Sequence, residues 1–253
     1  MNTRTTKCTL PYTPGCVRIL AQLGMLWMPS AAAGLILHSP SVMETEECAK
    51  IAEEILKNGK KAKILAKALE EALNMRVRSV TGKEALEMLQ EKTQTAIPIV
   101  SRECLEDGVE GLARAMFALP PSITLCSNRL YNRDDIGESL VHEMIHAYDY
   151  LVRKMDFSDC DQLACSEIRA NRDGECKGKW MVEYFRRRCA RRNAVCATQS
   201  MFPERGRDCV LRMFEKCFKD TVPFPKENDG MSGADSAEGP PRDRKDGHAE
   251  EAG

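Results

Sequence analysis

The chain has 253 residues, 43% apolar and 30% charged, the balance of a soluble globular protein with room for one sizeable domain. Lys and Arg number 37 against 38 Asp and Glu, and the net charge of −1 argues against a nucleic-acid binder of the usual basic kind. No run of about eighteen clean apolar residues is present, so no transmembrane helix is predicted. The twelve cysteines are the outlier.

Residues 1–43 hold no Asp or Glu but carry Arg4, Lys7 and Arg18, followed by a loosely apolar run over 17–37. Such a stretch reads as a targeting segment. Ala31-Ala32-Ala33 suits a secretory cleavage site, and a mitochondrial presequence fits the charge pattern equally well. Over 41–74, Ile51, Ile55, Leu65, Leu69 and Leu73 recur at helical spacing, with Ser41 or Thr45 as the cap and Glu44, Glu46 and Glu47 at the positive end of the dipole. Asn58-Gly59 splits this run into two helices. A further helix is predicted over 82–91 and a short strand over 95–100, where Pro98 argues for an edge or a broken strand. Pro120-Pro121 then introduces a second strand at 122–126, and a polar turn over 127–134 leads into a helix over 135–153.

That helix carries the chemistry. Asp135 and Glu138 make its D-x-x-E start, and Ile136, Leu140, Met144 and Tyr148 form an apolar stripe widened by Val141, Ile145 and Val152. His142-Glu143-Met144-Ile145-His146 lies within it, and His142, His146 and Asp149 share another face, because i, i+4 and i+7 fall on one side of a helix. Two imidazoles one turn apart reach one Zn²⁺ ion, while Glu143, about 100° around from His142, is placed to act as a general base on water.

A catalytic zinc site needs a third protein ligand. His38 and His248 lie far away in the leader and the tail, and no third histidine follows the motif closely, so that ligand should be a carboxylate. Asp149 would be the third ligand from one helix, an awkward geometry. It is better suited to orienting a histidine ring through its free N–H. Glu167, 21 residues beyond His146 on a second helix, is favoured, as in thermolysin-like gluzincins.

Larger blocks then match. They are Leu125-Cys-Ser-Asn128, His142-Glu-Met-Ile-His-Ala-Tyr-Asp149, Leu163-Ala-Cys-Ser-Glu-Ile-Arg-Ala-Asn171, Gly174-Glu-Cys176 and Phe214-Glu-Lys-Cys-Phe-Lys-Asp220. Over roughly 122–224 the chain resembles the family of mitochondrial inner-membrane metalloproteases that mature a subunit of the ATP synthase membrane sector and assist its assembly. The resemblance implies a zinc endopeptidase of the intermembrane space, peripheral to the inner membrane and disulfide-rich, with His142 and His146 as zinc ligands and Glu143 as base. It implies a protein substrate, an ATP synthase membrane-sector subunit, while the charge balance already argues for no nucleic acid. This chain departs from that pattern in having only Cys104 where a denser cysteine cluster is expected, and in its acid-free N-terminus and its acidic tail.

No C-x-x-C pair occurs, and seven of the twelve cysteines crowd into 160–217, so disulfides are expected in place of a structural zinc site. Arg186, Arg187, Arg188, Arg191 and Arg192 fall near the end of a helix predicted over 179–192. They complement its dipole, with anionic lipid as the functional alternative. Tyr148, Tyr150 and Arg169 lie near the motif as oxyanion candidates with packing or surface roles as the default. Residues 224–253 are poor in large apolar side chains and net acidic, a disordered tail by composition. The expectation is an α+β, mostly helical, disulfide-rich zincin-like domain over 44–223, with the 122–126 strand as the edge that receives an extended peptide substrate. The alternative is a non-enzymatic assembly factor or chaperone of a membrane complex.

Overall fold

In the computed structural model, residues 3–4, 43–85, 96–105, 113–177 and 182–225 are described. The leader expected over 1–43 and the tail expected over 224–253 lie almost wholly outside these residues, as does most of the helix expected over 82–91, of which residues 82–85 are helical.

The 41–74 run forms two helices, α1 (Thr45–Asn58) and α2 (Lys60–Leu73), broken at Gly59 as expected. A Cβ at Gly59 would come within 2.6 Å of the Ile55 carbonyl oxygen, so the break needs glycine. The N-cap of α1 is Glu44 without a side-chain bond, not Ser41 or Thr45. The Thr45 hydroxyl pairs instead with Ser127 Oγ at 3.2 Å. Asn74 in the left-handed region (φ 52°) closes α2.

Five strands build one sheet: β1 (Thr3–Arg4), β2 (Arg76–Thr81), β3 (Ala96–Arg102), β4 (Ala115–Ala118) and β5 (Ser122–Cys126), in the order β1-β4-β5-β3-β2. β2, β3 and β5 run parallel, while β4 is antiparallel to both β5 and β1. Two expectations need correction. β5 is not an edge: Ser122 pairs with Ala118 of β4, and Ile123 with Ile99 of β3. Its apolar Ile123 and Leu125 are fully buried, which favours an interior place. β3 is interior as well, despite Pro98. Its ladder with β5 begins only at Ile99, so at Pro98 the strand has one neighbour and the missing N–H is tolerated as at an edge.

The long helix α3 (Arg133–Leu151) starts at N-cap Asn132, whose side chain accepts from the Asp135 N–H. Asp135 reaches back to the Tyr131 N–H, so the capping pair is Asn132–Asp135, three residues earlier than Asp135–Glu138. The apolar stripe Ile136, Leu140, Met144 and Tyr148 is buried against α1, α2 and the sheet, with Leu65, Leu69, Ile99, Phe117 and Leu125 in the same core. The motif face of α3 is buried too, so this helix is central, not a surface helix.

A second core lies among α4 (Cys160–Asp173), α5 (Glu183–Met201) and α6 (Gly206–Lys219), around Ile168, Ala190, Ala194, Val210, Phe214 and Phe218. It is small and poor in long aliphatic side chains, and disulfides supplement it. Cys160–Cys209 and Cys165–Cys217 join α4 to α6, and Cys176–Cys189 joins the end of α4 to α5. Cys104–Cys126 staples the ends of β3 and β5, and among the described cysteines Cys48 is free and buried. The architecture is thus α+β, mostly helical and disulfide-rich, as the sequence predicts.

The Cys165–Cys217 bridge closes a loop with a sequence separation of 52. Its loss through Cys217→Ser should lower stability by about 2–5 kcal/mol. Urea denaturation without reductant measures this, and an unchanged midpoint would show that helix packing alone holds α4 to α6.

Candidate metal centre

α3 and α4 meet along the motif face. Where they cross, the chain turns out of α4 at Gly174. A Cβ there would lie 2.8 Å from the Glu138 carbonyl oxygen and 3.1 Å from His142 Cβ, so the close approach requires glycine. The apposition brings His142 and His146 of α3 against Glu167 of α4. Glu167 thus sits in mid-helix and owes nothing to a helix N-terminus.

His142 Nε2 is 3.7 Å from one Glu167 carboxylate oxygen, and His146 Nε2 is 3.6 Å from the other. The three ligand atoms lie within 4.8 Å of one another, and all three side chains are buried. Two ligands of a tetrahedral zinc ion stand roughly 3.4 Å apart at bond lengths of about 2.1 Å, so the trio is close to that spacing. Burial drives His142 down to about 3 and His146 well below its ordinary value, leaving both imidazoles neutral with a lone pair to offer. Burial, with Glu143 and Glu175 nearby, holds the Glu167 carboxyl well above the usual range. Neither Nε2 atom has a hydrogen-bond partner among the described residues. Three buried groups converge, two of them with unused lone pairs, and a cation satisfies all of them at once. The group can hold a metal ion.

Glu143 is fully buried one position along α3, and its Oε2 accepts from the Phe117 N–H of β4 at 2.8 Å. This ties the expected base to the strand beside it. Ser166 and Asp149 stand behind His146. His146 Nδ1 lies 2.9 Å from Ser166 Oγ, so with Nε2 reserved for a metal the Nδ1–H donates to that hydroxyl. Asp149 is buried and outside the trio, and its ion pairs run to Arg169 (3.2 Å) and Arg153 (3.4 Å). Burial raises its carboxyl to about 7, against the pull of Arg153 and the Ser166 hydroxyl. The expectation that Asp149 orients a histidine ring is therefore corrected in detail: Ser166 takes the ring N–H, and Asp149 stands behind it.

Arg169 is committed elsewhere. Its guanidinium pairs with Asp149 and with Asp220 at 2.7 Å and donates to the Val222 carbonyl, which leaves it no part as an oxyanion donor. Tyr148 packs in the main core. Tyr150, by contrast, packs its ring against Phe117 and Phe157, and the edge of Phe157 meets His146. Of the three oxyanion candidates, Tyr150 is the one beside the site.

Sequence reading did not single out Ser166 or Arg114. Ser166 sits next to Glu167 in the A-C-S-E-I-R-A block, and only the tertiary partner reveals its use. Arg114 is nine-tenths buried and bridges Asp135 of α3 (3.2 Å) to Glu175 after α4 (2.8 Å), clamping the two helices that form the site. An isolated arginine carries no signal of such burial.

Comparison with known proteins adds independent findings. The sequence profile of the peptidase M76 family matches residues 46–225. Among curated proteins, the chain is similar to the mitochondrial inner membrane protease ATP23 of Coccidioides immitis, with 36% identity over 118 residues covering 40% of this chain and 49% of that protein. The proteins of that name from Pyricularia oryzae and Botryotinia fuckeliana are 32% identical over 124 residues (43% and 45% covered) and 33% identical over 135 residues (47% and 54% covered). The chain spans about half the length of the curated relatives it matches. No solved structure matches it.

Removing the Ser166 hydroxyl should loosen the His146 ring without altering any side chain of the trio. Ser166→Ala is expected to weaken zinc affinity about 10–100-fold while Ser166→Thr retains it, measured by competition with a chromogenic chelator. Equal affinities for all three proteins would remove Ser166 from the site.

Proposed function

The chain belongs to the peptidase M76 family, and on that footing we propose that it is a zinc-dependent endopeptidase acting on a protein substrate. The observation that carries this reading is the buried His142, His146 and Glu167 trio with Glu143 tethered beside it. Two imidazoles and one carboxylate are a donor set that suits zinc. When bound, zinc supplies Lewis-acid activation of water and of the scissile carbonyl.

The remaining work belongs to the chain. His142 and His146 bind as neutral rings, His146 oriented by Ser166. Glu167 supplies the negative charge that makes the cage favourable for a dication. Glu143, held by the Phe117 amide, accepts a proton from the attacking water and returns it to the leaving amine. A purely non-enzymatic assembly factor has no use for a buried base fixed beside such a trio, which ranks that reading second.

The relatives are named as proteases of the mitochondrial inner membrane. We extend that location to this chain: the intermembrane space, peripheral to the inner membrane, with a membrane-sector subunit of the ATP synthase as substrate and its assembly as the wider role. The disulfides support an oxidising compartment. Among the described residues no helix is long and apolar enough to cross a membrane, which agrees with peripheral attachment.

Two substitutions separate metal from base. Glu143→Gln should keep about one zinc per chain and the wild-type melting temperature while peptide cleavage falls about 10²–10⁴-fold. Glu167→Ala should lose the zinc itself, read by elemental analysis after dialysis. Undiminished cleavage by Glu143→Gln, or full zinc in Glu167→Ala, defeats the assignment. In cells lacking the native protein, Glu143→Gln should also accumulate the unprocessed ATP synthase subunit.

A further inference from the structure

We propose that the outer face of α5 seats the protein on an anionic phospholipid surface through Arg188, Arg192, Tyr184 and Phe185. This rests on the membrane reading above and names the surface that serves it.

The five arginines of α5 divide into two groups. Arg186 reaches Asp173 and covers the Phe218 ring, Arg187 pairs with Glu215 and Glu183, and Arg191 stacks 4.4 Å over Phe214. These three have structural work on the second core. Arg188 and Arg192 are exposed and enter no ion pair or ring contact among the described residues. One turn apart, they line up with Tyr184 at i, i+4 and i+8, and Phe185 flanks them. The opposite face of the helix, Ala190, Ala194, Ala197 and Thr198, is buried.

The exposed rings are the second observation. Tyr184 is 62% exposed and Phe185 58%, with Val182 beside them at 63%. Large apolar side chains clustered this far into solvent at one helix end call for an occupant. The charge around them is also one-sided. Residues 183–219 hold ten basic and four acidic residues, in a chain whose net charge is −1.

An acidic protein partner would need the arginines alone. Aromatic rings beside arginines fit a bilayer better, with rings at headgroup depth and guanidinium forks on the phosphates. The seat is also rigidly joined to the site. The Cys176–Cys189 disulfide and the bond from Asn193 to Glu175 fix α5 to the turn that presses Gly174 on His142. Docking through this face therefore orients the metal centre relative to the membrane plane.

The test is co-flotation of the full chain with phosphatidylcholine vesicles, with and without phosphatidylglycerol. Wild type should float with the anionic vesicles and not with the neutral ones. Each basic residue near an anionic surface contributes about fivefold, so Arg188→Gln with Arg192→Gln should weaken binding about 25-fold. Lys63→Gln with Lys67→Gln, which removes the same charge from the exposed side of α2, should leave binding unchanged. Tyr184→Ser with Phe185→Ser should lose most binding at raised salt, where the charge contribution is screened. Repeating the series in Glu143→Gln protein reads the surface without any peptidase activity, so failure of one reading is distinguishable from failure of the other. Indifference of wild type to phosphatidylglycerol, or full binding by the arginine variant, overturns the proposal. Capture by polyglutamate but not by vesicles overturns it in favour of an acidic protein.

Discussion

Glu167 is a buried carboxylate with two neutral imidazoles in front of it and the carboxylates of Glu143 and Glu175 nearby. Desolvation makes that arrangement costly by itself, and a cation in the middle reverses the sign of the interaction. Much of the surrounding structure serves to hold those groups in place against their own electrostatics. Gly174 lets α4 approach α3 closely enough, Arg114 bridges the two helices from outside, and Arg169 anchors Asp149 behind the histidine. The main core pins α3 from one side and the disulfide-laced second core pins α4 from the other.

The legible parts of this site are the local ones. His142, Glu143 and His146 lie within one turn of one helix, so spacing alone reveals their shared purpose. Glu167 could be reached by elimination, because the other histidines are remote and a catalytic zinc site would need a further donor. Asp149 shows the limit: helix geometry puts it on the right face, but only the tertiary contact shows that Ser166 stands between it and the ring. Arg114 illustrates the same point, since burial of a charged side chain is decided by partners 21 and 61 residues away.

The fold divides in the same way. The break at Gly59 and the α3 stripe follow from backbone sterics and a 3.6-residue period, and both are read directly from the sequence. The sheet is harder. β4 is four residues long and β2 lies among charged side chains, so neither stands out from its flanks. The strand at 122–126 is recognisable as a strand, but its rank in the sheet depends on β4, which the pattern does not announce. Pro98 misleads for a related reason, because its neighbour on one side starts a single residue later.

Two of the trio's groups belong to α3, but Glu167 rides on α4, and α4 is bridged to Cys209 and Cys217 near the end of the described chain. A chain truncated before Cys217, or one still reduced, carries the whole H-E-x-x-H motif but lacks the covalent ties that hold the remaining carboxylate in place. Possession of the motif and possession of the assembled trio are therefore separate matters, and the bridges from α4 bear on the second alone.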